Sequence, residues 1–172
     1  WFRQQGWPVL HVHTRVGANQ SGWLPHWRAA GRADCIDGTP GVQAPIELTP
    51  EANETIVVKR YFSGFESPDM LAALRSERVE SIFLAGVHTH ACIRETAAAA
   101  NAFGFQVNIV SDAVGSYDPA HARMTLNWIN GRIGRCVAAS DLPDLFRTGP
   151  TLVSGTKLGV WLHRNPCNWD EI

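Results

Sequence analysis

Two side chains in this chain could act on a substrate together: Cys92 and Lys59. Cys92 lies inside "LAGVHTHACIRETAAAANAFGF" (84–105), where a buried-strand pattern breaks at Gly86 and an alanine-rich helical run follows, ending at Gly104. A cysteine at that junction sits on the tip of a helix. Unpaired N–H groups and a partial positive charge there stabilise a thiolate, and the same N–H groups can hold an oxyanion. The other reading is a small apolar filler, since free cysteine is among the most buried residue types. Lys59 ends the apolar run "IVVK". It is either an ordinary strand-end charge or a cation that holds the thiolate and orients a carboxylate base.

These residues need a scaffold, and the chain is long enough to build one. Its 172 residues are 45% hydrophobic, enough for one domain with a sizeable core. Net charge is −1, with 15 Lys+Arg against 16 Asp+Glu, and no basic block stands out. That argues against nucleic acid and anionic membranes as partners. No apolar run approaches the length of a membrane helix. Cys35, Cys92, Cys136 and Cys167 are widely spaced with no C-x-x-C pair, so disulfide and zinc-ribbon frameworks are weak and a reducing, cytoplasmic setting is the default. The first residue is Trp1, and "WFRQQGWPVL" has the pattern of a helix tail entering a strand. The expectation is a domain entered partway through.

Strand patterns fall at 7–14, 54–61, 79–86, 105–112 and 134–140. Helical patterns fall at 67–77, 91–103, 118–131 and 141–147; Ser67 and Asp118 are candidate caps, each followed by proline. Alternation of this kind predicts an α/β fold with a mainly parallel sheet between helix layers. Ligands bind such sheets at the carboxyl ends of strands, so Lys59, Cys92 and Asp112 could share one rim. Residues 15–54 form a long Gly/Pro-rich loop with a short helix. Residues 149–172 match no further strand–helix unit and are expected to be a tail, a linker or the start of a second domain.

Two stretches, "GTPGVQAPIELTPEANETIVVKRYFSGF" and "LAGVHTHACIRETAAAANAFGFQVNIVSDAVGS", carry a resemblance. The features are the Gly-Thr of "GTPG", a lysine followed by aromatic-Ser-x-Phe, the "GV-x-T-x-x-C" turn, Thr96 four residues after the cysteine, and "DAVGS" after the next strand. Over roughly residues 7–147 the chain resembles the isochorismatase-like cysteine hydrolases. The resemblance implies a six-stranded, three-layer α/β/α fold with Rossmann-like order. Residues 1–148 would then be that domain without its first strand. It implies a catalytic Asp–Lys–Cys triad in which Lys59 and Cys92 are the matching residues. The aspartate belongs to the strand ahead of residue 1, and Asp112 does not match it. It further implies a non-proline cis peptide at Val87–His88, with the N–H groups of His88 and Cys92 facing an oxyanion.

The activity implied is hydrolysis of a C–N bond in a small amide, ureido or carbamoyl substrate through a Cys92 thioester. The alternative is a non-catalytic domain used for assembly or as part of a multidomain enzyme. No cofactor is expected. The metal loop of nicotinamidases has an Asp before its histidines, and "HVHTRVGANQSGWLPHW" has none; His11 and His13 lack an evident third ligand. Family members that cleave a vinyl ether typically lack the cysteine. Trp23, Phe65 and His88 are the expected pocket residues. A homo-oligomer is expected, with "VSGTKLGVWL" as a candidate contact. "GRIGR" (131–135) has the wrong glycine pattern for a dinucleotide loop.

Overall fold

The computed structural model describes residues 1–148 and, as backbone, residues 157–163. In chain order the elements are β1 (Val9–Thr14), α1 (Pro25–Ala30), β2 (Thr55–Lys59), α2 (Pro68–Ser76), β3 (Val79–Val87), α3 (Arg94–Ala102), β4 (Gln106–Gly115), α4 (Pro119–Ile129), β5 (Arg135–Val137), α5 (Leu142–Thr148) and β6 (Lys157–His163). The six strands form one sheet in the order β2-β1-β6-β3-β4-β5, and every pairing is parallel.

Burial on both faces explains the continuous apolar run Ile82–Ala85 in β3, whereas the edge strand β2 leaves Ile56 and Val58 exposed. Along β3, Ile82 and Leu84 face one layer and Phe83 the other, because strand side chains alternate. The first layer packs Ile82, Leu84, Val57 and Ile109 beneath α2, α3 and α4, with Met70, Leu74, Ala97, Ala100 and Ile129 as the helix contacts. Ala97 and Ala100 are fully buried, so α3 lies close to the sheet. On the opposite face Phe83 and Val110 meet Phe2, Trp7, Leu142 and Phe146. Burying a side chain the size of Phe83 contributes about 1.5–3 kcal/mol.

Local signals start the helices. Pro68 opens α2 after an extended Ser67, whose side chain makes no cap hydrogen bond. Pro119 opens α4, and the Asp118 carboxylate accepts from the Ala120 N–H at 2.7 Å.

Two expectations change. Lys157–His163 is a strand, whereas the sequence pattern placed no strand in 149–172. It pairs with β1 on one side (Val12 opposite His163) and with β3 on the other (Gly86 opposite His163). The strand portion of "VSGTKLGVWL", expected as a contact between copies, has both of its backbone edges paired within the sheet. The rest of the tail expectation, at 149–156 and 164–172, lies outside the described residues. Asp112 also moves. It lies inside β4, which runs on to Gly115, and its carboxylate accepts from the Ala139 N–H. Among the described residues no helix is long and apolar enough to cross a membrane.

Candidate active site

The site forms where β1, β2 and β3 end. Lys59 is the last residue of β2, in register with Thr14, the last of β1. Its side chain is 1% exposed. An ammonium has three donors, and Lys59 Nζ has three acceptors in reach: Thr14 Oγ1 at 2.8 Å, the Tyr61 carbonyl at 2.6 Å and Cys92 Sγ at 3.4 Å.

The turn carrying Cys92 begins where β3 ends. Gly86 has φ +117°, and pairing with β4 slips between Leu84 and Gly86. A backbone at that φ favours glycine. The Val87–His88 peptide is cis. Residues Thr89–Ile93 then form a π-helical turn that leads straight into α3. Cys92 is thus in the wide turn ahead of α3 and is half-buried, where the sequence pattern starts the helix at 91. Thr96, one turn on, accepts from the Gly64 N–H at 3.0 Å. This bond ties the loop after β2 to the helix after Cys92 and keeps the lysine and the sulfur at one distance.

A cavity of about 270 Å³ opens over the pair. Thr14, Lys59, Ala91 and Cys92 line it, and so do the cis junction Val87–His88, Leu24 and Trp27 around α1, Arg60, Tyr61 and Phe62 after β2, and His90, Glu95 and Tyr117. Of the expected pocket residues only His88 lines it. Trp23 is buried in a separate cluster with Val16, Leu24 and Trp27, and its indole N–H donates to the Gly17 carbonyl at 2.8 Å. Phe65 stacks on Phe103 at 5.2 Å and packs against the main core. Both aromatics are held by the scaffold behind the wall. Leu24, the extended residue that precedes α1, and Trp27 within it take the expected place of Trp23.

Histidines crowd one wall. The rings of His88, His90 and His121 surround Tyr117 at centroid distances of 5.6, 5.0 and 6.1 Å. His90 Nδ1 lies 2.9 Å from Ser116 Oγ. Desolvation holds both His88 and His90 below the ordinary histidine pKa; His90 also feels the positive pole of His121, partly offset by Asp118. Both are therefore neutral near pH 7. His11 and His13 are elsewhere. His11 Nε2 meets Glu54 at 2.8 Å, and His13 Nδ1 is buried without a partner. Among the described residues no group of three or more His, Cys, Asp or Glu is placed to hold a metal ion.

Comparison with known proteins fits this geometry. A family model described as "Isochorismatase domain" matches residues 1–141. The chain is 29% identical over 147 residues to maleamate amidohydrolase of Pseudomonas putida, covering 81% of this chain and 67% of that protein. Other curated relatives are spanned less fully, down to about a third of their length. Among solved structures, an isochorismatase family protein from Desulfovibrio vulgaris superposes with a TM-score of 0.77 at 33% identity, over 85% of this chain and 78% of that one. N-carbamoylsarcosine amidase from Thermoplasma acidophilum gives 0.67 at 27%, over 81% and 76%. The sheet, the family match and these relatives agree: the chain belongs to the isochorismatase-like hydrolase family.

Proposed function

We propose that this protein is a cysteine hydrolase that cleaves a C–N bond of a small amide, ureido or carbamoyl substrate, with Cys92 as nucleophile and Lys59 as the cation that keeps it ionised. One observation carries the reading. Lys59 is buried at the cavity with two of its donors spent on Thr14 and Tyr61 and the third facing the Cys92 sulfur. An ammonium so placed stabilises the thiolate, the nucleophilic form. The amidohydrolase and amidase relatives support C–N chemistry.

In the proposed reaction the thiolate attacks the substrate carbonyl and a C–S bond forms. The N–H groups of His88 and Cys92 are the donors assigned to the oxyanion. The C–N bond breaks, and the leaving nitrogen takes the proton that the triad aspartate implied by the resemblance removed from the Cys92 thiol, while Lys59 stays charged beside the sulfur. Water then cleaves the thioester: its oxygen bonds to the acyl carbon, its proton passes to the same aspartate, and the C–S bond breaks to release the acid product and return Cys92.

The test has two parts. Iodoacetamide at neutral pH should label Cys92 ahead of Cys35 and Cys136. Cys92→Ala should abolish turnover in a screen of small amides and N-carbamoyl compounds, beginning with maleamate and N-carbamoylsarcosine, while leaving the melting temperature unchanged. Undiminished hydrolysis by Cys92→Ala would falsify the assignment.

A further inference from the structure

Lys59 and Arg60, adjacent in sequence, both line the cavity over Cys92, and only one of them has donors to spare. Lys59 Nζ is used up by Thr14, Tyr61 and the Cys92 sulfur. The Arg60 backbone N–H donates to the Glu66 carboxylate at 2.9 Å, while its guanidinium meets no acceptor among the described residues. The arginine stem lies on the loop that follows β1. A Cβ added at Gly22 would stand 2.7 Å from Arg60 Cδ, and Gly22 has φ +77°. That loop is closed on itself: the Gly17 N–H donates to the Ser21 carbonyl at 2.8 Å, and the buried Trp23 donates its indole N–H to Gly17. The stem therefore rests on a firm surface that presents the guanidinium at the cavity. Leu24, Trp27, Phe62 and Val87 make much of the remaining wall apolar. Beside such a wall an unpaired guanidinium is a strong partner for an anion.

We propose that Arg60 is a specificity-determining residue that seats a carboxylate of the substrate, so that the compounds this cavity takes are acid amides, with the C–N bond to be cleaved at one end and a carboxylate at the other. This rests on the cysteine-hydrolase reading above. The planar guanidinium offers two parallel N–H donors, which match the two oxygens of a carboxylate. Lys59 then serves the reacting end through the sulfur, and Arg60 holds the far end. The cavity volume of about 270 Å³ keeps the spacer between the two ends to a few carbons. Glu95 lines the same cavity, is exposed, and forms no ion pair with Arg60 among the described residues. Its charge repels a second carboxylate, so one negative charge on the substrate is favoured over two.

The experiment reads binding apart from turnover, on the full chain. A compound seated in the cavity shields Cys92 from iodoacetamide, and the concentration that halves the alkylation rate measures its affinity. Malonamate, succinamate and glutaramate are each compared with the matching diamide, which has the same shape and no charge; the series varies the reach from Cys92 to Arg60. In the parent at least one acid amide should protect at a concentration about 30-fold below that of its diamide. Arg60→Gln should bring that acid amide to the level of the diamide. Arg60→Lys keeps the charge without the fork and should retain only part of the preference; it serves as the readout if Arg60→Gln does not fold. A purely structural role for Arg60 would weaken both members of a pair and leave their ratio unmoved. Equal protection by acid amide and diamide throughout the series, or the full parental preference in either variant, overturns the role of Arg60. Hydrolysis undiminished by Cys92→Ala overturns the cysteine-hydrolase reading while leaving the protection ratios as they are, so the two failures are distinguishable.

Discussion

The sheet buries a charge at each end, and the two ends treat it differently. At the carboxyl end Lys59 faces a sulfur beside an open cavity. At the amino end Glu54, with a side chain 5% exposed, precedes β2. It accepts from Arg3 Nε at 2.6 Å, Arg3 Nη2 at 2.7 Å and the Glu51 N–H at 2.8 Å, and it pairs with His11 Nε2 at 2.8 Å. These bonds clamp the first turn of the chain onto the loop before β2. Every partner of Glu54 is inert. A buried charge thus marks a site only when a reactive group and room for a ligand accompany it. A cavity of about 260 Å³ opens beside Glu54 as well, but no cysteine lines it, and there the buried charge fastens two segments.

The sharpest way to break this contrast is Lys59→Met. Loss of the cation should slow alkylation of Cys92 at neutral pH about 30-fold, following the lost thiolate fraction. An unchanged labelling rate would erase the distinction between the two ends. Glu54→Gln should do the reverse, leaving labelling alone and lowering unfolding free energy by about 2 kcal/mol. That figure is reduced from a fully buried pair because the Arg3 side chain is 36% exposed.

The clamp also has a pH signature. Hydrogen bonds from Arg3, against some desolvation, hold the Glu54 pKa at about 2, below its ordinary 4.5. A carboxylate with a depressed folded-state pKa stabilises fully above the unfolded value, and that contribution is lost as pH falls from about 4.5 to 2. Denaturant titrations should show this loss in the parent and a shallower decline in Glu54→Gln. A smaller effect is expected at the site's brace: Thr96→Val leaves the buried Gly64 N–H without its acceptor and should cost about 1–2 kcal/mol in chemical denaturation. Smallest is Asp118→Ala, which removes the α4 cap for about 1 kcal/mol, read as a drop in melting temperature.

Much of the scaffold was legible because its signals are local. Proline after Asp118 and the strand–glycine–helix change around Gly86 and Cys92 each act within a few residues. The resemblance pointed to Lys59 and Cys92 and to the Val87–His88 bond. The pocket wall was less legible. Trp23 and Leu24 are adjacent in sequence, and only tertiary packing decides which of them faces the cavity. His90 lines the cavity, but its bond to Ser116, 26 residues away, had no local sign. The strand at 157–163 was missed for the same reason. Its place depends on an opening between β1 and β3 that no window of the tail contains.

That strand has a consequence for how the protein is made. β1 and β3 do not pair with each other; each pairs with β6. The two parts of the sheet are joined through the last of the described strands to be synthesised, and Val9 must wait for Val160. On a ribosome the earlier strands emerge first with two unpaired central edges, the kind of surface that invites wrong pairing. Nascent chains arrested at increasing lengths should turn protease-resistant in one step, only after residue 163 leaves the exit tunnel. Gradual protection from shorter chains onward would show instead that the early strands close on each other without it.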